Sequence, residues 1–177
     1  MRMENINKIH APLDSSKKSV YPKIVDKHNR SFNYLRLAVN EYCNLRCIYC
    51  MPEEGIPVRN KNELLSTKEI KKLIKISGQL GVSKIRFTGG EPLLRKDISE
   101  LVKYAVNLNG IKSVNLTTNG ILLNKYLEHL QLAGLSGINI SLDTLRSDRF
   151  IKITRRNNLR EVLDNIFGLG SSEAFKD

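Results

Sequence analysis

The feature that most constrains this chain is a rhythm in which a short strand-like segment is followed by a helix-length amphipathic one, again and again. Tyr34 to Asn40 ("YLRLAVN"), Lys84 to Thr88 ("KIRFT"), Ser113 to Thr117 ("SVNLT") and Gly137 to Ser141 ("GINIS") carry the alternation of strands. Between them, Ser66-Thr67-Lys68-Glu69 offers a capping box to a helix whose apolar stripe is Ile70, Leu73 and Ile74, expected to end near Leu80-Gly81. Asp97 is placed to cap a second helix with Ile98, Leu101, Val102 and Ala105 inward. Further helices are expected over Tyr126 to Ala133 and Leu159 to Phe167. Strand then helix, repeated, is the pattern of right-handed βαβ crossovers, so the fold class is α/β with a parallel sheet. The pattern leaves two closures open, a doubly wound sheet or part of a barrel. In both, ligands gather at the carboxyl ends of the strands.

With 177 residues and 41% hydrophobic content, the chain can bury one core of ordinary size. Residues 31–177 are expected to form that domain. Residues 1–30 are polar and turn-prone ("APLDSSKKS", "DKHNRS") and read as a flexible N-terminal arm. Glu4, Asp14 and the scarcity of Arg there argue against a transit peptide. No secretory signal and no membrane-spanning run is visible, so a reducing compartment, the cytoplasm by default, is expected. The formal charge of +11 attracts anions such as nucleotides and phosphates, and serves solubility equally well. Aromatics are 6%, Trp is absent, and no basic run is interleaved with stacking rings, so nucleic acid is not the expected partner.

Every cysteine the chain has, Cys43, Cys47 and Cys50, falls directly after the first strand. "TGGEPLLR" follows the second, "TTNG" the third and "SLDTL" the fourth, all on one rim of the sheet. A C-x3-C-x2-C loop among polar residues is no core segment. Zinc is the main rival, but it wants four ligands at tetrahedral spacing, and His10, His28 and His129 lie outside the loop. Iron–sulfur clusters also usually take four thiolates, so three would leave one iron open to a substrate or cofactor. Gly89 and Gly90 either make a tight turn or let backbone groups approach a ligand, with Glu91 beside an amine or solvated. Asn119-Gly120 alone reads as a turn, and its place on the shared rim favours a ligand role. Asp143 is left unassigned. Lys84 and Arg86, two residues apart, share a face of their strand, and Arg36 raises the same question on the first strand. Outward they are a solvated pair; inside a partial barrel they are a buried double charge that needs an anion.

C-x3-C-x-aromatic-C, with Tyr49 as the aromatic, followed by Gly-Gly-Glu-Pro after the next strand, resembles the radical S-adenosylmethionine (SAM) superfamily. Within it, "LRLAVNEYCNLRCIYCMPEEG", "NELLSTKEI", "KIRFTGGEPLLR", "LTTNGILL" and "AGLSGINISLDTL" resemble the GTP 3′,8-cyclase family, lyases that begin molybdenum cofactor biosynthesis. The resemblance covers about Tyr34 to Phe167. It implies a partial TIM-like barrel of the radical SAM type, here reduced to about four βα units. Cys43, Cys47 and Cys50 would hold a [4Fe–4S] cluster; Tyr49, Gly90, Thr117, Asn119 and Ser141 would contact SAM; Arg36, Lys84 and Arg86 would meet the GTP phosphates. The cluster cleaves SAM to a 5′-deoxyadenosyl radical that abstracts hydrogen from C3′ of GTP, so no side chain is assigned as catalytic. The implied partners are GTP, an electron donor and the next enzyme, cyclic pyranopterin monophosphate synthase. The family is often homodimeric, and in a eukaryote its compartment would be the mitochondrial matrix.

The family is longer than this chain, and its second cysteine cluster, which holds the guanine base, has no counterpart here. The expectation is therefore an N-terminal piece that binds one cluster and SAM, with little or no turnover of GTP. Its fourth strand and one sheet face are expected to expose pairing groups and apolar surface. Ala38 and Asn40 stand where the family usually has Ser and Thr. Rival readings are a zinc-stabilised binding module and another radical SAM enzyme acting on peptide or RNA.

Overall fold

A computed structural model describes residues 24–57 and 63–170. Most of the expected arm lies outside these residues. Its described part, residues 24–30, makes a tight turn: Asp26 accepts from the backbone N–H groups of His28 and Arg30, Val25 bridges to Ser31, and Ile24 N–H donates to Leu80 O at 3.3 Å.

Four strands form the sheet, β1 (Tyr34–Ala38), β2 (Lys84–Thr88), β3 (Ser113–Thr118) and β4 (Gly137–Ile140). The helices are α1 (Thr67–Gln79), α2 (Ile98–Val106), α3 (Leu123–Leu132), α4 (Ser147–Thr154) and α5 (Leu159–Gly170), with a 3₁₀ turn at Pro92–Leu94. All pairings are parallel and the spatial order is β1-β2-β3-β4. That order decides between the two closures. A doubly wound sheet reverses its strand order, whereas successive right-handed steps to the next strand keep all the helices on one face, as in an arc of barrel. α1 contacts α2, and α2 contacts α3, along that face. No helix among the described residues is long and apolar enough to cross a membrane.

Alternation along the strands sorts the two faces. Ile85, Phe87, Val114 and Leu116 point to the helices and are buried with Ile70, Ile74, Ile98, Leu101, Val102, Leu123 and Leu130. The opposite, concave face carries polar rows set by register: Tyr34 beside Lys84 beside Ser113, then Arg36 beside Arg86 beside Asn115 beside Gly137. The expected apolar exposure on this face is limited to Tyr34 and Ala38 of β1, because the strands turn the rest of their hydrophobic set to the helices.

Two local expectations also change. Asp97 stands at the start of α2 but makes no capping bond, because its carboxylate accepts from the Arg95 guanidinium and the Thr67 hydroxyl instead. The capping box at Ser66 and Glu69 forms as expected. β1 stops two residues earlier than expected, where Asn40 leaves the ladder and its carbonyl accepts from Gly90 N–H at 2.9 Å. Helix α4 and the 3₁₀ turn have no counterpart in the sequence reading.

Candidate active site

The four polar loops meet at the carboxyl ends of the strands. They enclose a cavity of about 260 Å³ whose lining includes Arg36, Cys43, Cys47, Tyr49, Cys50, Gly90, Thr117, Asn119 and Ser141. Nine of the proposed site residues are thereby brought together. Lys84 and Arg86 do not line it. Lys84 is exposed at the start of β2, while Arg86 is half-buried midway along, where its Nε donates to the Tyr34 hydroxyl at 2.8 Å and a terminal nitrogen donates to Thr117 Oγ1 at 3.2 Å. Arg36 is exposed on the same face, so the expected buried double charge is instead an open basic row.

The diglycine turn is held by the loop it faces. Gly90 N–H donates to Asn40 O at 2.9 Å, Glu91 N–H donates to Tyr42 O at 2.6 Å, and Asn40 Nδ2 donates to Glu91 O at 2.8 Å. A Cβ at Gly90 would lie 2.2 Å from Tyr42 O, and one at Gly89 would lie 2.5 Å from Asn40 O. Both glycines are required by backbone-to-backbone contact inside the protein, not only by a ligand.

Glu91 is not solvated. It is buried, and its carboxylate accepts from Leu93 N–H at 3.0 Å, Thr118 Oγ1 at 2.7 Å and Asn119 N–H at 2.8 Å. Burial pushes its carboxyl above the ordinary range, and these hydrogen bonds offset part of that shift. The acid therefore ties the second loop to the third. The sequence places it next to the glycines but cannot show that two of its partners, the Thr118 hydroxyl and the Asn119 N–H, come from β3 and its loop.

The cysteine loop rests on α4. Arg46 N–H donates to Thr154 O and Ile48 N–H to Ile153 O, each at 2.9 Å, and Arg155 donates back to Arg46 O at 3.0 Å. Leu45 and Cys47 are buried with Ile121, Phe150, Leu159 and Val162 in a second apolar cluster. Cys50 N–H and Met51 N–H both donate to Cys47 O, giving a single helix-like turn that carries Tyr49. The Tyr49 hydroxyl donates to Asp143 at 2.8 Å, joining the first loop to the fourth. Burial pushes the Cys43 and Cys47 thiols up, while Cys50 is exposed. A bound cation reverses that shift by taking the thiolate.

The sequence matches the radical SAM superfamily over residues 37–169. The chain belongs to that superfamily. It is 49% identical over 143 residues to a GTP 3′,8-cyclase of Clostridium botulinum, covering 81% of this chain and 45% of that protein. It is equally identical to the GTP 3′,8-cyclase of Lactiplantibacillus plantarum, over 81% of this chain and 43% of the relative. Molybdenum cofactor biosynthesis protein 1 of Drosophila melanogaster is 50% identical over 81% of this chain and 25% of its own length. The chain thus spans less than half the length of these relatives. The structure of BtrN in complex with AdoMet and 2-DOIA superposes with a TM-score of 0.55 at 24% identity, covering 70% of this chain and 51% of that one, which supports the partial barrel.

Membership of this superfamily implies a [4Fe–4S] cluster and SAM. The residues fit that group. Three thiols, Cys43, Cys47 and Cys50, border one cavity, and a multinuclear cluster takes its thiolates on different irons, so the three can serve it together.

Proposed function

We propose that this radical SAM chain carries the cluster- and SAM-binding part of a GTP 3′,8-cyclase, acting in the first step of molybdenum cofactor biosynthesis. The observation that carries the reading is the juxtaposition, at one rim, of the cysteine loop with a concave face whose Arg36 and Arg86 stand side by side. Arg86 gives two of its five N–H donors to neutral hydroxyls, and no ion pair to it is formed among the described residues, which favours an anion such as a triphosphate as its partner. Cys43, Cys47 and Cys50 would hold the cluster; Tyr49, Gly90, Thr117, Asn119 and Ser141 would face SAM; Arg36, Arg86 and, lower on the face, Lys84 would orient the phosphates.

When bound, the cluster and SAM supply a carbon radical able to abstract hydrogen from the substrate. The protein's own residues position and shield. The loops enclose the cavity, the Tyr49 to Asp143 hydrogen bond spans it, and the arginine row fixes the anion beneath. One cluster is assigned to this chain. An electron donor, the synthase that consumes the product, a homodimer and a cytoplasmic or mitochondrial-matrix location complete the reading.

The test is anaerobic reconstitution of the chain with iron and sulfide, iron counting, reductive SAM cleavage, and titration with GTP. Four irons per chain, 5′-deoxyadenosine and saturable GTP binding are expected. Bound zinc would replace this reading with a structural module. A cluster that cleaves SAM while GTP fails to bind would move the chain to a radical SAM enzyme with another substrate.

A further inference from the structure

Asn119 is assigned by its motif to SAM, yet the structure commits its side chain elsewhere. Its Oδ1 accepts from Ile121 N–H at 3.1 Å, and its Nδ2 donates to Asn44 Oδ1 at 2.7 Å and to the Cys43 sulfur at 3.7 Å. The residue is 9% exposed, and its own N–H is held by the buried Glu91 carboxylate. The Cys43 sulfur also accepts from Leu45 N–H at 3.4 Å. Two N–H donors thus point at one thiol, and one of them belongs to a different strand loop.

We propose that Asn119 is a positioning residue for Cys43: it fixes the orientation of that ligand and donates a hydrogen bond to its sulfur. N–H donors to ligand sulfurs stabilise the more electron-rich state and are among the levers that set a cluster's reduction potential. Glu91, by holding the Asn119 backbone, aims that donor. The Gly-Gly-Glu turn thereby acts on the first cysteine through Asn119. This inference rests on the proposed cluster ligation.

The test compares the reconstituted wild-type chain with Asn119→Asp, which keeps the acceptor for Ile121 N–H and removes the donor, and with Asn44→Ser, which frees the Asn119 amide to turn. Iron and sulfide content, the midpoint of the one-electron 2+/1+ couple in a mediated redox titration, and SAM affinity are measured on each. A lower midpoint is expected for Asn119→Asp and a smaller downward change for Asn44→Ser, with iron content retained. An unchanged midpoint with cluster retained overturns the inference, as does a loss of SAM affinity at constant midpoint, which returns Asn119 to the cofactor. If Asn119→Asp does not take up iron, the Asn44→Ser midpoint decides alone. Failure of the wild-type chain to assemble a four-iron cluster would instead defeat the proposed function.

Discussion

Replacing Gly90 by Ala tests whether the diglycine turn and the cysteine loop form one unit. The added methyl would sit 2.2 Å from Tyr42 O, 2.5 Å from Tyr42 C and 2.6 Å from Glu41 O. All three are backbone atoms, so no flexible side chain can swing aside. Relief requires the loops to separate, which strains or breaks the Gly90 to Asn40 and Glu91 to Tyr42 bonds. Overpacking of roughly 1–3 kcal/mol and two hydrogen bonds at about 1 kcal/mol each give a loss of about 3–5 kcal/mol. Set against a usual domain stability of roughly 5–15 kcal/mol, that is a large fraction. The assay is urea denaturation of the apo chain followed by iron counting after anaerobic reconstitution. Gly168→Ala is the control, since an added Cβ there meets nothing within 4 Å in the exposed end of α5. It should gain about 0.5–1 kcal/mol from helix propensity and keep its iron. A wild-type denaturation midpoint for Gly90→Ala would refute the argument, because it would mean that the two loops do not touch as described.

Phe150→Ala removes the aromatic under Leu45 and Cys47, and should cost about 3–5 kcal/mol and lower iron uptake per folded chain. Ile74→Ala, in the helix-side core, should cost a similar amount while folded molecules keep their iron; equal iron uptake by the two variants would sink the claim that α4 supports the cysteine loop. If the proposed GTP reading holds, Arg86→Ala should weaken GTP binding by about 1.5–3 kcal/mol, roughly ten- to 150-fold, in a titration where the cluster remains intact. Asp97→Asn should flatten the acid limb of stability. Burial works to raise the Asp97 carboxyl, but the Thr67 hydroxyl and the Arg95 guanidinium outweigh it and hold the group below its ordinary 3.8. Its contribution of about 1 kcal/mol is therefore full above that value and lost as the pH falls through the lower folded one. Denaturation curves of wild type and variant that stay parallel down to strong acid would contradict this.

The sheet was legible because each strand alternates cleanly. "KIRFT" and "SVNLT" separate inner from outer residues without ambiguity, and strand-then-helix order dictates parallel pairing. The site's rim was legible for the same reason, since each polar cluster falls at the end of a strand. The partial-barrel closure was not, because both closures share one local pattern and differ only in which neighbour each crossover chooses. Helix α4 was missed: "SDRFIKIT" holds few apolar residues and caps weakly, and its stability comes from Phe150 and Thr154 packing against a loop more than a hundred positions earlier. The solvated alternative for Glu91 fails for a related reason. A carboxylate after two glycines looks solvated until its partners are in place, Leu93 N–H in its own turn and the Thr118 hydroxyl and Asn119 N–H that β3 brings to it.

The two apolar clusters divide the work. One lies between sheet and helices and holds the strands in register; the other lies under the cysteine loop and is built from α4, α5 and Ile121. Between them the concave face is mostly polar, carrying hydroxyls, amides, Lys84 and two arginines, with the Tyr34 ring and Ala38 as its apolar side chains. A parallel sheet ordinarily buries both faces, so a polar inner face has a cost in lost burial unless something hydrogen-bonds to it. Side chains of a closed barrel could fill that space with hydrocarbon, and here the strands offer little beyond Tyr34 and Ala38 at its edge. The polar inner face is thus what a charged, hydrogen-bonding ligand would require, and the thiols at its rim place reactive chemistry within one cavity of that ligand.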